Sequence, residues 1–259
     1  MSSSSWPRRA KRGGRPRWLT GDLATSRRAE TMVSARLLGV GRVEFLGYRD
    51  SGADRPGAGH RGAGPATDAS VTLDAAPLAA VSSHLRQILI EERASALTSY
   101  DRIGVYGHRD HIRVHQIAAA AVVGTQCDLA EATVSRVTLR RLRDELLERG
   151  LDPVSWPDTL IDDIGTDNGV GLLAVKVGDH LPRKRAAMAA HASQVVEASS
   201  FMGLPPGVFH RLLGTEWFHP ARTVDGRFAD LVDGSLRRPA PAHGTHNFGV
   251  TGDRLSVVV

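Results

Sequence analysis

The sequence predicts an α/β fold, a largely parallel sheet flanked by helices. Two observations predict it. From Leu23 onward, segments of helical and strand character alternate along the chain, the pattern that lays helices on the faces of a parallel sheet. The 259 residues, 41% hydrophobic and 24% charged, suit one large domain or two small ones with a real core. Collagen-like, low-complexity and wholly disordered readings are excluded by the same numbers.

The elements follow in order. Ala24 to Leu38 reads as a helix, with Thr25 or Ser26 as possible caps, and Val43 to Leu46 as a strand. Arg49 to Asp68 is a Gly/Pro/Asp-rich loop of a length that is usually functional or mobile. Leu78, Val81, Leu85, Ile88 and Leu89 recur at helical spacing up to about Arg93. Ala96 to Tyr100 is a short strand, and Ile112 to Val123 an alanine-rich, close-packed helix. Ala130 to Val137 reads as a strand, and Leu139 to Arg149 as an amphipathic helix stopped by Gly150. Leu172 to Val177 is a late strand and Arg183 to Ala198 a helix. Three regions result: a basic segment at 1–22, the α/β body at 23–220, and a Pro/Gly/His-rich extension at 221–259 with a weak terminal strand.

Charge narrows the function classes. The net +5 is not spread over the chain: residues 1–30 carry eight of the 33 basic residues against only Asp22 and Glu30, which leaves the body nearly neutral. A nucleic-acid binder wants a basic stripe on the folded domain, so no nucleic-acid partner is expected. The longest apolar run, Ile117 to Val123, is far below the roughly 20 residues of a membrane span. The single Cys127 forms no internal disulfide and points to a reducing, cytoplasmic setting.

Sites in α/β folds lie beyond the carboxyl ends of strands. That directs attention to Tyr48 to Gly52 and to Tyr100 to His111. The second segment gathers Tyr106, His108, Asp110, His111 and His115 within ten residues. His111 and His115, four apart, share a helix face if the helix has begun. His108 and Asp110 fall in the loop, where Asp110 can also serve as the helix N-cap. Imidazole suits zinc, and a neighbouring carboxylate can fix a histidine tautomer. The competing reading is a polar loop with solvated histidines.

Tyr100-Asp101, then Tyr106-Gly107-His108-x-Asp110-His111, then His115 and a run of alanines, closely resembles the second motif of the PIG-L/LmbE-like zinc-dependent de-N-acetylases. Three further blocks agree in order: Arg27-x-x-Glu30 with Leu37 to Val40, Phe45 to Gly52, and Lys184-x-x-Ala187 with His191 to Gln194. The resemblance spans about residues 23–220. It implies a Rossmann-like sheet, a zinc cofactor and an N-acetylated sugar-type substrate. It further implies that His111 ligates zinc, that His108 stabilises the oxyanion or protonates the leaving amine, and that Asp110 orients His108. Tyr106 would lie near the scissile amide. Arg27 and Asp50 match sugar-contacting positions, and His191 and Gln194, one turn apart on the late helix, would approach the site. The implied chemistry is hydrolysis of an acetamide by water of lowered pKa, giving acetate and an amine.

Two departures stand out. Arg109 occupies the place of a proline and is expected to loosen the loop. The family's His-Pro-Asp-Asp-Glu motif, which supplies the base and two zinc ligands, has no counterpart in residues 1–59, where no histidine occurs. The first strand and its helix are expected to be missing, exposing apolar faces. A mis-started, frameshifted or truncated amino terminus is the expected cause, and zinc is expected to bind poorly through one ligand. The alternative is a non-catalytic homologue acting as a sugar-binding or interaction protein.

Overall fold

The computed structural model describes residues 23–52, 71–150, 162–167, 171–193, 202–230, 232 and 256–258. The basic segment, most of the 49–68 loop, Gln194 and much of the carboxy-terminal extension lie outside the described residues. Helix α1 (Leu23–Leu38) leads through Gly39, at φ 79°, into β1 (Arg42–Glu44). There follow α2 (Leu78–Glu91), β2 (Ala96–Tyr100), the irregular turn α3 (Gly104–Gly107), α4 (Arg109–Ala121), β3 (Asp128–Thr133) and α5 (Arg136–Glu148). Then come β4 (Leu173–Lys176), α6 (Leu181–Ala189), α7 (Pro206–Leu213), β5 (Thr215–Arg222) and β6 (Ser256–Val258).

The fold is α/β and Rossmann-like, a mixed sheet flanked by helices. The larger sheet has the order β2-β3-β5-β4. β2 and β3 are parallel, joined through α4, while β5 runs antiparallel between β3 and β4. β1 pairs in parallel with β6 in a separate two-stranded sheet. Alternation along β3 sends successive side chains to opposite faces. Leu129 joins Val81, Leu85, Leu89, Ile117 and Ala121 beneath α2 and α4. Ala130 joins Val175 and Phe218, with Phe228 and Val232 against them. A third cluster, Leu181, Leu204 and Phe209, closes the α6–α7 end.

The alanines of α4 are small because α2 crosses closely over them, and Ala121 is fully buried. Arg86 of α2 donates to the carbonyls of Ala120 (2.8 Å) and Ala121 (3.1 Å), which satisfies acceptors that the end of a helix leaves open. Ala121→Leu should therefore overpack the contact and cost about 1–3 kcal/mol. Urea unfolding reads this directly, and an unchanged midpoint would mean the helices are not in contact.

Several boundaries differ from expectation. Helix α4 begins at Arg109, not Ile112, because His108 caps it: the Asp110 N–H donates to His108 Nδ1 at 3.2 Å. Asp110 is thus a first-turn residue and not the N-cap. The late helix ends at Ala189, so His191 sits beyond it in a turn, its N–H donating to the Met188 carbonyl at 3.2 Å. Glu30 of α1 draws the chain away there, accepting from Ser193 N–H (2.7 Å) and Ser193 Oγ (2.6 Å). Val33, Leu37 and Leu38 of α1 are exposed.

Candidate functional site

Two loops and the start of α4 build the site. In the first loop, Arg49 N–H donates to the Val71 carbonyl (3.2 Å), and the Arg49 carbonyl accepts from Leu73 N–H (3.0 Å). This pins Asp50 and Ser51 beside the 71–74 segment. Ser51 N–H donates to Asp110 Oδ2 at 2.9 Å, and Ser51 Oγ lies 2.5 Å from Asp110 Oδ1 and 2.8 Å from Asp74 Oδ1. Thr72 Oγ1 also donates to Asp74, at 2.6 Å. The Thr72 and Ser51 hydroxyls hold the Asp74 carboxyl below the ordinary range. Arg109 reaches the other Asp74 oxygen at 2.6 Å. The arginine in the place of the proline therefore ties α4 to this loop. Arg27 of α1 pairs with Asp50 Oδ2 at 3.1 Å, and Gly52 N–H donates to Asp50 Oδ1 at 2.7 Å.

The second loop is strained. Val105 has φ 64° and ψ −53°, the positive-φ γ-turn conformation. A β-branched residue there is a genuine outlier, worth about 1–3 kcal/mol, and needs surroundings that over-determine it. They are present: Val105 N–H donates to Asp101 Oδ1 at 2.8 Å, and its carbonyl accepts from Gly165 N–H at 2.7 Å. Arg136 secures the 164–167 segment, donating to the carbonyls of Ile164 (3.2 Å) and Gly165 (2.9 Å).

The two central histidines present opposite chemistry. A ring nitrogen that accepts cannot carry the proton, so His108, whose Nδ1 accepts from Asp110 N–H, carries it on Nε2. His111 Nδ1 lies 3.2 Å from the Gly104 carbonyl, which only accepts, so here Nδ1 is the donor. Burial pushes the His111 pKa below the ordinary histidine value, with the Gly104 carbonyl opposing it and His108 reinforcing it. A neutral His111 with Nδ1 protonated leaves Nε2 as a bare lone pair, the metal-ligating form. The ring centroids lie 4.7 Å apart, and Tyr100 stacks on His111 at 3.8 Å with planes 8° apart. Tyr106 is exposed and meets both rings edge-on, at 5.2 Å from His111 and 6.1 Å from His108.

Among the described residues, Asp50, His108 and Asp110 can offer ligand atoms within 4.8 Å of one another. The Asp50 and Asp110 carboxylates, with the bare Nε2 of the adjoining His111, are a donor set that fits zinc.

The structure thus brings Arg27, Asp50, Tyr106, His108, Asp110 and His111 into one region. The Asp110 carboxylate bonds to Ser51, so its tie to His108 runs through its backbone N–H. His115, one turn beyond His111, lies away from this group: its Nδ1 is 2.9 Å from Glu131 Oε1 of β3. His191 adjoins Ser193, which Glu30 holds. Sequence reasoning missed Asp74 and the roles of Ser51 and Asp101. All three act across the chain; Ser51 and Asp101 lie within the segments Phe45 to Gly52 and Tyr100-Asp101, whereas Asp74 carried no local signal.

The sequence that builds this arrangement, two loops at strand ends framing a histidine pair at a helix start, matches a known family. The chain belongs to the PIG-L family, whose model, described as GlcNAc-PI de-N-acetylase, matches residues 7–122. It is 32% identical over 246 residues to a 1D-myo-inositol 2-acetamido-2-deoxy-alpha-D-glucopyranoside deacetylase of Nocardioides sp., covering 82% of this chain and 79% of that protein. A Streptomyces griseus deacetylase of the same description is 32% identical over 234 residues, covering 82% and 70%. One from Geodermatophilus obscurus is 30% identical over 229 residues, covering 79% and 75%.

Proposed function

We propose that this chain is a zinc-dependent hydrolase that removes the N-acetyl group of an amino-sugar conjugate, N-acetylglucosaminyl-inositol being the best-supported substrate. The observation that carries this reading is the opposed tautomers of His108 and His111 at one helix start. His108 offers an Nε2–H to the acetamide oxygen as it gains negative charge, the role of an oxyanion donor. Asp110, gripped by Ser51, keeps its own N–H on His108 Nδ1 and so holds that donor tautomer. Arg27 and Asp50, already paired, present a cation and a carboxylate to sugar hydroxyls. His111 would hold zinc through its bare Nε2, with carboxylate donors available from Asp50 and Asp110. Bound zinc supplies Lewis-acid polarisation and a lowered pKa for water. His191 and Gln194 are proposed as outer substrate contacts, Tyr106 as a cover over the amide, and the cytoplasm as the compartment. No described helix is long and apolar enough to cross a membrane.

The test is release of a primary amine from N-acetylglucosaminyl-inositol by the purified full chain, with and without added zinc. Amine release that a chelator abolishes is expected. One observation favours a second reading, a non-catalytic sugar binder: the candidate carboxylate donors are already engaged, Asp50 with Arg27 and Asp110 with Ser51. Sugar binding by calorimetry without any amine release would support that reading, and neither binding nor release would sink both.

A further inference from the structure

One residue outside the substrate-facing set ties the turn before the histidine pair to the sheet. Asp101 follows β2, is only 4% exposed, and every polar group it has is committed. Its N–H donates to the Ala132 carbonyl at 3.1 Å, which extends the β2–β3 ladder by one residue. Its own carbonyl accepts from Gly104 N–H at 2.9 Å. Of its carboxylate oxygens, Oδ2 accepts from Thr133 Oγ1 of β3 at 2.6 Å, and Oδ1 accepts from Val105 N–H at 2.8 Å. One side chain therefore bolts the strained turn to the middle of the sheet.

The turn in its turn fixes His111. The Gly104 carbonyl is the acceptor for His111 Nδ1, and the direction of that carbonyl depends on the γ-turn conformation of Val105 beside it. There is no slack between turn and helix: a Cβ on Gly104 would stand 3.0 Å from His111 Cβ, from Ile112 Cγ1 and from the Ile112 backbone nitrogen. Left-handed and γ-turn conformations at a β-branched residue relax when their restraints are removed, because other backbone wells are lower. Of the two restraints on Val105, the buried Gly165 N–H holds its carbonyl, on the side away from Gly104, whereas Asp101 holds its N–H, in the same peptide unit as the Gly104 carbonyl that His111 meets.

We propose that Asp101 is a positioning residue: through Val105 and the Gly104 carbonyl it holds His111 in the tautomer and orientation that leave Nε2 open. Its link to catalysis rests on the deacetylase reading above, but the structural claim does not. Asp101→Ala removes the acceptor for Val105 N–H and lets the Gly104 carbonyl swing off the ring. Asp101→Asn keeps an oxygen for Val105 and a group that Thr133 Oγ1 can accept from.

The test is long-range 15N–1H NMR of the His111 ring in the full chain at pH 8, read beside kinetics on N-acetylglucosaminyl-inositol. Wild type is expected to show His111 protonated on Nδ1. Asp101→Ala is expected to show a mixture of tautomers and a kcat lower by about 10–100-fold at little-changed KM, the range for losing an outer-shell partner of a metal ligand. Asp101→Asn is expected to restore both. If Asp101→Ala does not fold, Thr133→Val loosens the same carboxylate from the sheet side and should shift the tautomer the same way. His111 protonated on Nε2 in wild type would overturn the proposal, as would an unchanged Nδ1–H ring in whichever of Asp101→Ala and Thr133→Val folds. A shifted tautomer in a chain with no amine release would keep the positioning role and reject only the deacetylase reading.

Discussion

His111→Phe is expected to leave the chain folded and to remove both zinc and amine release. Phenylalanine keeps a ring against Tyr100, where the stacked contact at 3.8 Å contributes about 0.5–1.5 kcal/mol, and it has no nitrogen. Both variants lose the bond to the Gly104 carbonyl, but His111→Ala loses the stack as well, so its melting temperature should fall further than that of His111→Phe. Losing a ligand should exceed the roughly 10–100-fold that outer-shell changes cost. Dialysed protein assayed for bound zinc separates the effects. Zinc retained by both variants would move the metal off His111, leaving Asp50, His108 and Asp110 as its holders.

The histidines were legible because they are close in the chain: His108, Asp110 and His111 fall on one loop and helix start, so local pattern was enough. The periodic elements were legible for the same reason, and α2 and β2 lie close to where apolar spacing put them. β5 was not legible. Thr215–Arg222 contains Pro220 and no clean alternation, and a proline argues against an inner strand. The structure tolerates it because the β3–β5 register shifts between Leu129 and Ala130, opposite Arg222 and Pro220. The scaffold behind the site was hidden for a similar reason. Asp74 meets Ser51, and Asp101 meets Thr133, only after the strands have assembled.

Asp128→Ala is the substitution expected to damage stability most. Asp128 opens β3 and is 2% exposed. Its carboxylate accepts from Val224 N–H at 2.7 Å and Phe228 N–H at 2.9 Å, clamping the chain after β5 onto the sheet. Bonds to a charged group contribute about 1.5–3 kcal/mol each, so losing two should cost about 3–6 kcal/mol. Burial alone would raise the Asp128 pKa, but the backbone N–H groups of Phe228, Val224, Asp225 and Arg227 outweigh it and hold the carboxyl below its ordinary value of 3.8. The sign follows. A carboxyl with a depressed folded pKa stabilises the fold fully above its unfolded pKa, and that stability is lost as pH falls through the folded one. Wild type should therefore lose this contribution only below about pH 4, and Asp128→Ala should show a flatter acid limb. Equal acid limbs in the two proteins, followed by tryptophan fluorescence, would place the acid-sensitive group elsewhere.

The order β2-β3-β5-β4 also has a kinetic consequence. β2, α4 and β3 are consecutive, so their parallel pairing closes a short loop, whereas β3 and β5 join positions as far apart as 129 and 222. Closing the longer loop costs more chain entropy before any contact rewards it, and non-local pairing slows folding. The histidine-bearing half can thus assemble while one side of β3 still waits for its partner. An interrupted refolding experiment should find α4 protected from hydrogen exchange before β5, with the arrival of β5 as the step that commits the molecule.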